Sequence, residues 1–328
     1  MLQGANATCI KSLLRHSSTC CHPVGTAPQP DLGEEVNVRS RLKRYPRLEG
    51  LTKSGYRKFQ GTALGHRLVR REIVMRYYRP RLQLARQWIP RRTENDNFYY
   101  ELTPRNVKEL ASLVAIVSGT SIEAIERYVR ELQDDTEIRD HIRQLWRQDP
   151  KMRDAQLGFG RRIGWYAFVR ALKPKIVVET GVHHGVGACV ITRALMRNAI
   201  EGHDGYYFGT DIDRRAGVLL TGEYSTMGRI LYGDSLDSLR SLNQSVDIFI
   251  NDSDHSSNYE RLEYQIINPH LADTSLILGD NSHVSTELAD FSRENGRPYI
   301  FFHEEPDSHW YPGAGIGISP SRVPLTGC

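Results

Sequence analysis

From residue 176 onward, short apolar runs and amphipathic stretches alternate along the chain. Ile176-Val177-Val178 is a β-branched run that ends at Glu179, and it reads as a buried strand of a parallel sheet. Comparable runs recur at 206–211, 229–232, 246–251, 275–279, 298–303 and 315–319. Helical spacing separates them. This alternation predicts an α/β fold, Rossmann-like, with a seven-stranded, mostly parallel sheet and helices on both faces.

Upstream of residue 176 the pattern is helical. Thr103-Pro104 supplies a cap and a proline at the first helical position, and Val107, Leu110, Leu113, Val114 and Val117 follow at helical spacing until Ser118-Gly119. Thr120 with Glu123 predicts a capping box for a second helix through Ile122, Ile125, Tyr128, Val129 and Leu132. Thr136 opens a third, with Ile138, Ile142, Leu145 and Trp146 on one side. Residues 158–172 predict a further helix leading into the first strand. Residues 64–92 predict two basic helices broken at Pro80. The expected organisation is a disordered basic arm (1–60), a helical extension or cap (61–157) and a sheet domain (158–328).

Charge sharpens this division. The chain has 328 residues and a net charge of +4, but residues 1–100 hold 19 Lys+Arg against 7 Asp+Glu, and the remainder holds 24 against 32. A basic arm therefore precedes an acidic body. Nucleic acid or an anionic membrane surface could meet that arm. The reading taken is the plainer one, a solvated basic face over an apolar stripe. Whether residues 1–60 are a transit peptide, a start-site error or a functional tail stays open. No apolar run is long enough to span a bilayer, so a soluble, cytoplasmic protein is expected, with a homo-oligomer compatible. The five cysteines form neither a disulfide framework nor a zinc spacing. That fits a reducing compartment, with Cys189 a small buried residue.

The chemistry gathers where the strands end, since open parallel sheets bind ligands at their carboxyl edge. Glu179-x-Gly181-x-x-x-Gly185-x-Gly187 joins the first strand to a helix. Glycine admits close backbone approach, and a helix N-terminus offers free N–H groups. The spacing is neither the dinucleotide G-x-G-x-x-G nor a phosphate loop. A carboxylate before the loop repels pyrophosphate but suits a cationic amino acid. The second strand ends at Asp211, thirty residues after Gly181, with Asp213 as a near alternative. The third ends in Gly233-Asp234-Ser235. The fourth runs into Asp252, Asp254 and His255, and the fifth into Asp280-Asn281. His183 and His184 sit inside the loop itself.

The glycine loop with this series of acids resembles class I S-adenosylmethionine (SAM)-dependent methyltransferases. The Asp252-Ser-Asp-His-Ser stretch is similar to the cephalosporin-hydroxylase-like and macrocin-type sugar O-methyltransferases. Asp280-Asn281 is closer to the catechol and caffeoyl-CoA types. The resemblance covers about residues 158–319. It implies SAM as cofactor, with Glu179, Gly181, Gly185 and Gly187 on its methionine part, Asp211 on the ribose, and Asp234 with Ser235 at the adenine. It also implies Mg2+ or a similar ion on Asp252, Asp280 and Asn281, with Asp254 or His255 taking the proton of a small-molecule or sugar hydroxyl. Metal-free relatives use such acids as plain contacts, and Asn281 could instead cap a helix starting near Val284. Rival readings are a SAM-fold regulatory protein without chemistry and a nucleotide-binding oxidoreductase. The intact acids oppose the first and the glycine spacing the second.

Overall fold

A computed structural model describes residues 61–94, 97–149 and 156–321, together with Gly55, Lys58 and Met152. The arm expected over 1–60 therefore lies outside the described residues, apart from Gly55 and Lys58. Cys9, Cys20, Cys21 and Cys328 lie outside them too. The chain divides into two compact units, one up to Pro80 and one from Arg81. No helix among the described residues is long and apolar enough to cross a membrane.

Helix α1 (Ala63–Trp88) carries Pro80 in its interior, so the expected break is absent. Proline removes one backbone N–H there, which costs about 3 kcal/mol. The Arg- and Leu-rich run on either side is a good helix former and carries the helix through. Three short helices follow: α2 (Pro104–Ser118), α3 (Ile122–Gln133) and α4 (Thr136–Trp146). Thr103 caps α2 through the Asn106 N–H, and Gly119 ends it at φ 69°. The capping box at Thr120 does not form. Ser121 is the cap of α3, accepting from Ala124 N at 3.3 Å, so Glu123 sits one position too early to reach back. Asp135 caps α4. Helix α5 (Arg162–Leu172) starts later than residue 158. Gly158 lies against the Tyr100 carbonyl, where a Cβ would come within 2.1 Å, and Gly160 has φ +52°, so this stretch is a turn.

The strands are β1 (Ile176–Thr180), β2 (Tyr206–Asp211), β3 (Gly228–Tyr232), β4 (Val246–Asn251), β5 (Leu271–Asp280), β6 (Ile300–His303) and β7 (Gly315–Pro320). They form one sheet in the order β3-β2-β1-β4-β5-β7-β6, with β7 antiparallel to both neighbours. The remaining helices are α6 (Val186–Ile200), α7 (Ser235–Arg240), α8 (Ser257–Ile267) and α9 (Glu287–Glu294). Side chains alternate across the sheet, as a strand period of two requires. Val177, Ile248, Ile250, Leu276 and Leu278 join the core of α2–α6. Val178, Phe249 and Ile277 join the opposite core, with Leu239 of α7, Tyr264 of α8 and Leu288 of α9. Thr180 pairs with Thr210 on one side and Asn251 on the other. The ends of β1, β2 and β4 are thus level, and the residues after them share one edge.

Candidate active site

The loop after β1 is fixed by the backbone on both sides. Gly181 N–H donates to Thr210 O at 2.9 Å, and Asp252 N–H donates to Thr180 O at 3.0 Å. At Gly181, φ is +81° and a Cβ would lie 2.0 Å from the Asp252 carbonyl oxygen, so only glycine fits. Gly185 precedes α6 as its cap residue. Gly187 leaves room for Glu179, whose Oε1 would be 2.4 Å from a Cβ there. Glu179 is 1 % exposed, and its other oxygen accepts from the Tyr207 hydroxyl. Burial pushes its carboxyl up to about 7, against the opposing pull of Tyr207 and Arg162.

A cavity of about 440 Å3 opens beside this loop, lined in part by Asn97, Tyr99, His183, His184, Asp211 and Asp213. A cleft of about 10 Å3 shares Asn97, Tyr99, His183 and His184 with it, and adds Glu179, Arg162, the glycine loop and Asp252. Asp211 accepts from the N–H groups of His183 at 2.9 Å and Asp213 at 2.8 Å, so it braces the loop as well as facing the cavity. Asp213 is exposed and paired with Arg215 at 2.9 Å. Asp234 and Ser235 do not line either space. Asp234 caps α7 through Leu236 N–H at 2.8 Å and accepts from the Tyr259 hydroxyl at 2.9 Å. Ser235 donates to Glu263, a buried acid that also accepts from Thr180, Asn251 and Ser253. Burial raises the Glu263 carboxyl, and its hydrogen bonds pull the other way.

At the ends of β4 and β5, Asp252, His255 and Asp280 offer ligand atoms that lie within 4.8 Å of one another. His255 Nε2 is 3.7 Å from Asp252 Oδ1 and 3.0 Å from Asn281 Nδ2, and its Nδ1 is 3.4 Å from Glu260 Oε1. Asn281 caps no helix. It sits at φ 53° in a turn, and α9 begins only at Glu287, after Thr286. Asp254 is exposed, its Oδ1 accepting from Ser256 N–H at 2.8 Å. Both Asp280 oxygens accept from the Arg161 guanidinium, whose Nη1 also reaches Glu304 at 3.3 Å.

The cluster's electrostatics follow from this packing. Burial would raise Asp280, but Arg161 prevails and holds it below the usual carboxylate range. Asp252 is raised, first by burial and then by the Asp280 charge. Burial alone would lower His255, yet the hydrogen bond to Glu260 and the charges of Asp280 and Glu260 leave it raised. Two adjoining carboxylates, an imidazole and an amide make a set of hard and borderline donors, and the repulsion from Asp280 that raises Asp252 is what a cation relieves. The residues fit a divalent ion, with Asp280 offering it the lone pairs that Arg161 leaves free.

Sequence reasoning missed Arg161, Arg162, Glu260, Glu263 and the Asn97–Tyr99 segment. The first two carried a signal: an Arg pair opening an otherwise apolar helix, at Gly160-Arg161-Arg162-Ile163.

Residues 178–282 match a family model described as a methyltransferase domain. A comparison with curated proteins finds no match. Among solved structures, an O-methyltransferase from Bacillus cereus in complex with SAH is 13 % identical, covers 60 % of this chain and 100 % of its own, and has a TM-score of 0.44. The O-methyltransferase TomG of Streptomyces achromogenes, in complex with SAM, gives 13 % identity, 59 % and 91 % coverage and a TM-score of 0.44. A methyltransferase from Geobacter sulfurreducens gives 17 %, 57 % and 89 %, and 0.42. Residues 178–282 are thus similar to a methyltransferase domain, over about a third of the chain.

Proposed function

We propose that this protein transfers a methyl group from SAM to a hydroxyl oxygen of a small molecule or sugar, with a divalent cation such as Mg2+ held at Asp252, Asp280 and Asn281. One observation carries the reading. Asp252 belongs both to the cleft under the glycine loop and to the cluster with His255 and Asp280. Cofactor site and acid–imidazole cluster therefore meet at one residue.

When bound, SAM supplies an electrophilic methyl, and the cation lowers the pKa of the acceptor hydroxyl and orients it. The chain supplies the rest. Asp211 accepts from the ribose hydroxyls. Glu179 and the glycine loop hold the amino-acid end, while Asp234 and Ser235, which line neither space, brace α7 and Glu263 behind the adenine end. His255 takes the acceptor proton at Nε2, while Glu260 steadies the resulting imidazolium at Nδ1. Asp254, exposed one residue before it, is the alternative acceptor.

The test is methyl transfer from labelled SAM to a panel of catechols, glycosides and hydroxylated macrolides. Labelled product on an oxygen supports the reading. Absence of transfer to every member, from protein that binds SAM, would count against this acceptor class.

A further inference from the structure

Arg162 is the first residue of α5 and only 4 % exposed. A buried guanidinium ordinarily carries a matched acid, as Arg161 does with Asp280 and Glu304 and as Arg170 does with Glu131 and Glu201. Arg162 has none. Among the described residues its side chain makes no ion pair and no hydrogen bond, and its buried Nε has no partner. Aromatic faces hold it instead. The guanidinium carbon lies 5.5 Å from the Trp165 ring centre and 6.0 Å from that of Tyr99. Such packing fixes the plane of the guanidinium and leaves its donors unused.

Those donors belong to the cleft beneath the glycine loop, where Arg162 and Glu179 are both lining residues. One buried base thus shares this space with buried Glu179 and with Asp252 at its edge, bridged to neither. Glu179 accepts from Tyr207, and Arg162 from nothing, being donor only. The cleft holds about 10 Å3, room for about one water, and it shares four lining residues with the larger cavity, so a ligand end group reaching it comes from that cavity. A group carrying one negative and one positive charge close together answers this pair: the α-amino acid zwitterion.

We infer that Arg162 binds the α-carboxylate of the amino-acid end of the cofactor, with Glu179 facing the ammonium. This rests on the proposed SAM site and adds to it a residue outside the glycine motif. A planar fork suits a carboxylate with two parallel hydrogen bonds, and lysine would satisfy only one of them. The arrangement also explains why the guanidinium donors stay buried here without a bridging acid, Glu179 and Asp252 acting on the charge only through space: the ligand takes the donors.

The experiment compares ligands that differ only at that end, by calorimetry on the full chain. S-adenosylhomocysteine carries the amino acid, and 5′-methylthioadenosine lacks it. Arg162→Met is expected to weaken S-adenosylhomocysteine by about 10- to 100-fold, the range for hydrogen bonds between charged groups, with methylthioadenosine unchanged within about twofold. Arg162→Lys should recover part of the loss. Equal loss for both ligands, or no loss for either, would overturn the assignment. Should Arg162→Met fail to fold, the wild-type protein decides alone. It should bind SAM at least about tenfold more tightly than decarboxylated SAM, and equal affinities would overturn the inference. A wild-type chain that binds neither adenosine compound would instead overturn the SAM reading itself.

Discussion

Both carboxylate oxygens of Asp280 accept hydrogen bonds from one guanidinium, that of Arg161, and both side chains are buried. Asp280 therefore does two jobs: it is a donor in the acid cluster and the counter-ion of a buried arginine. Removing one partner of a buried pair leaves an uncompensated charge and typically costs 3–5 kcal/mol. Asp280→Ala is expected to lose stability of about that size, read by denaturant unfolding, whether or not a ligand is present. Glu304 keeps its contact to the Arg161 guanidinium and sets the lower end of the range. A loss below about 1 kcal/mol would mean that Arg161 finds another partner. Asp252, which Arg161 does not bridge, is the cleaner place to test the metal.

Chelation with EDTA is expected to abolish methyl transfer and leave S-adenosylhomocysteine binding nearly intact, with Mg2+ restoring turnover. Asp252→Ala should behave like chelation. His255→Ala should keep metal binding and lower the rate by about 10²- to 10⁴-fold, the usual worth of a general base. Asp254→Asn should change little, because Asp254 is exposed and engaged as a turn acceptor. Since the base must be neutral, activity should fall as pH drops through the His255 pKa, which the Glu260 hydrogen bond holds up and a bound cation pulls down. Full turnover in excess EDTA would remove the cation from the account.

Glu179 offers a stability test with a defined sign. Its folded pKa is about 7 against an ordinary 4.5, so the protonated form is favoured by folding. The stabilising contribution of that proton is complete below about 4.5 and is lost as pH rises through about 7. At 1.36 kcal/mol per unit, the swing is roughly 3 kcal/mol. Glu179→Gln keeps an acceptor for the Tyr207 hydroxyl and never ionises. It should match wild type near pH 4.5 and be the more stable protein at pH 8, while binding SAM less well. A stability difference independent of pH would mean that Glu179 ionises as freely in the fold as in water.

What the sequence disclosed follows from how local each signal is. The strand runs and the helix spacing are properties of neighbouring residues, and they located all seven strands within a few positions. The glycine loop was legible because Gly181 and Gly187 each answer a close contact, with the Asp252 carbonyl and with Glu179. Boundaries failed where a competitor stood one residue away: Ser121 took the cap from Thr120, and the Gly158–Gly160 turn delayed α5. The acids at the ends of β4 and β5 were found, but their partners were not. Arg161 is 119 residues from Asp280 in sequence, and no local pattern announces such a pair. Asp234 looked like a cofactor contact and also proved to be a helix cap, the commonest use of that residue type before a helix.

If the cavity beside the glycine loop holds SAM, Asp211 is the residue that reads it out most directly. Titrating S-adenosylhomocysteine into the wild-type protein by calorimetry should give saturable one-to-one binding, with NAD giving none. Asp211→Ala should weaken it by about 1.5–3 kcal/mol, since a charged acceptor for two hydroxyls is removed. The same change loosens the loop at His183, whose N–H it anchors at 2.9 Å. Binding of NAD in preference to S-adenosylhomocysteine, or identical affinity in wild type and Asp211→Ala, would contradict the account.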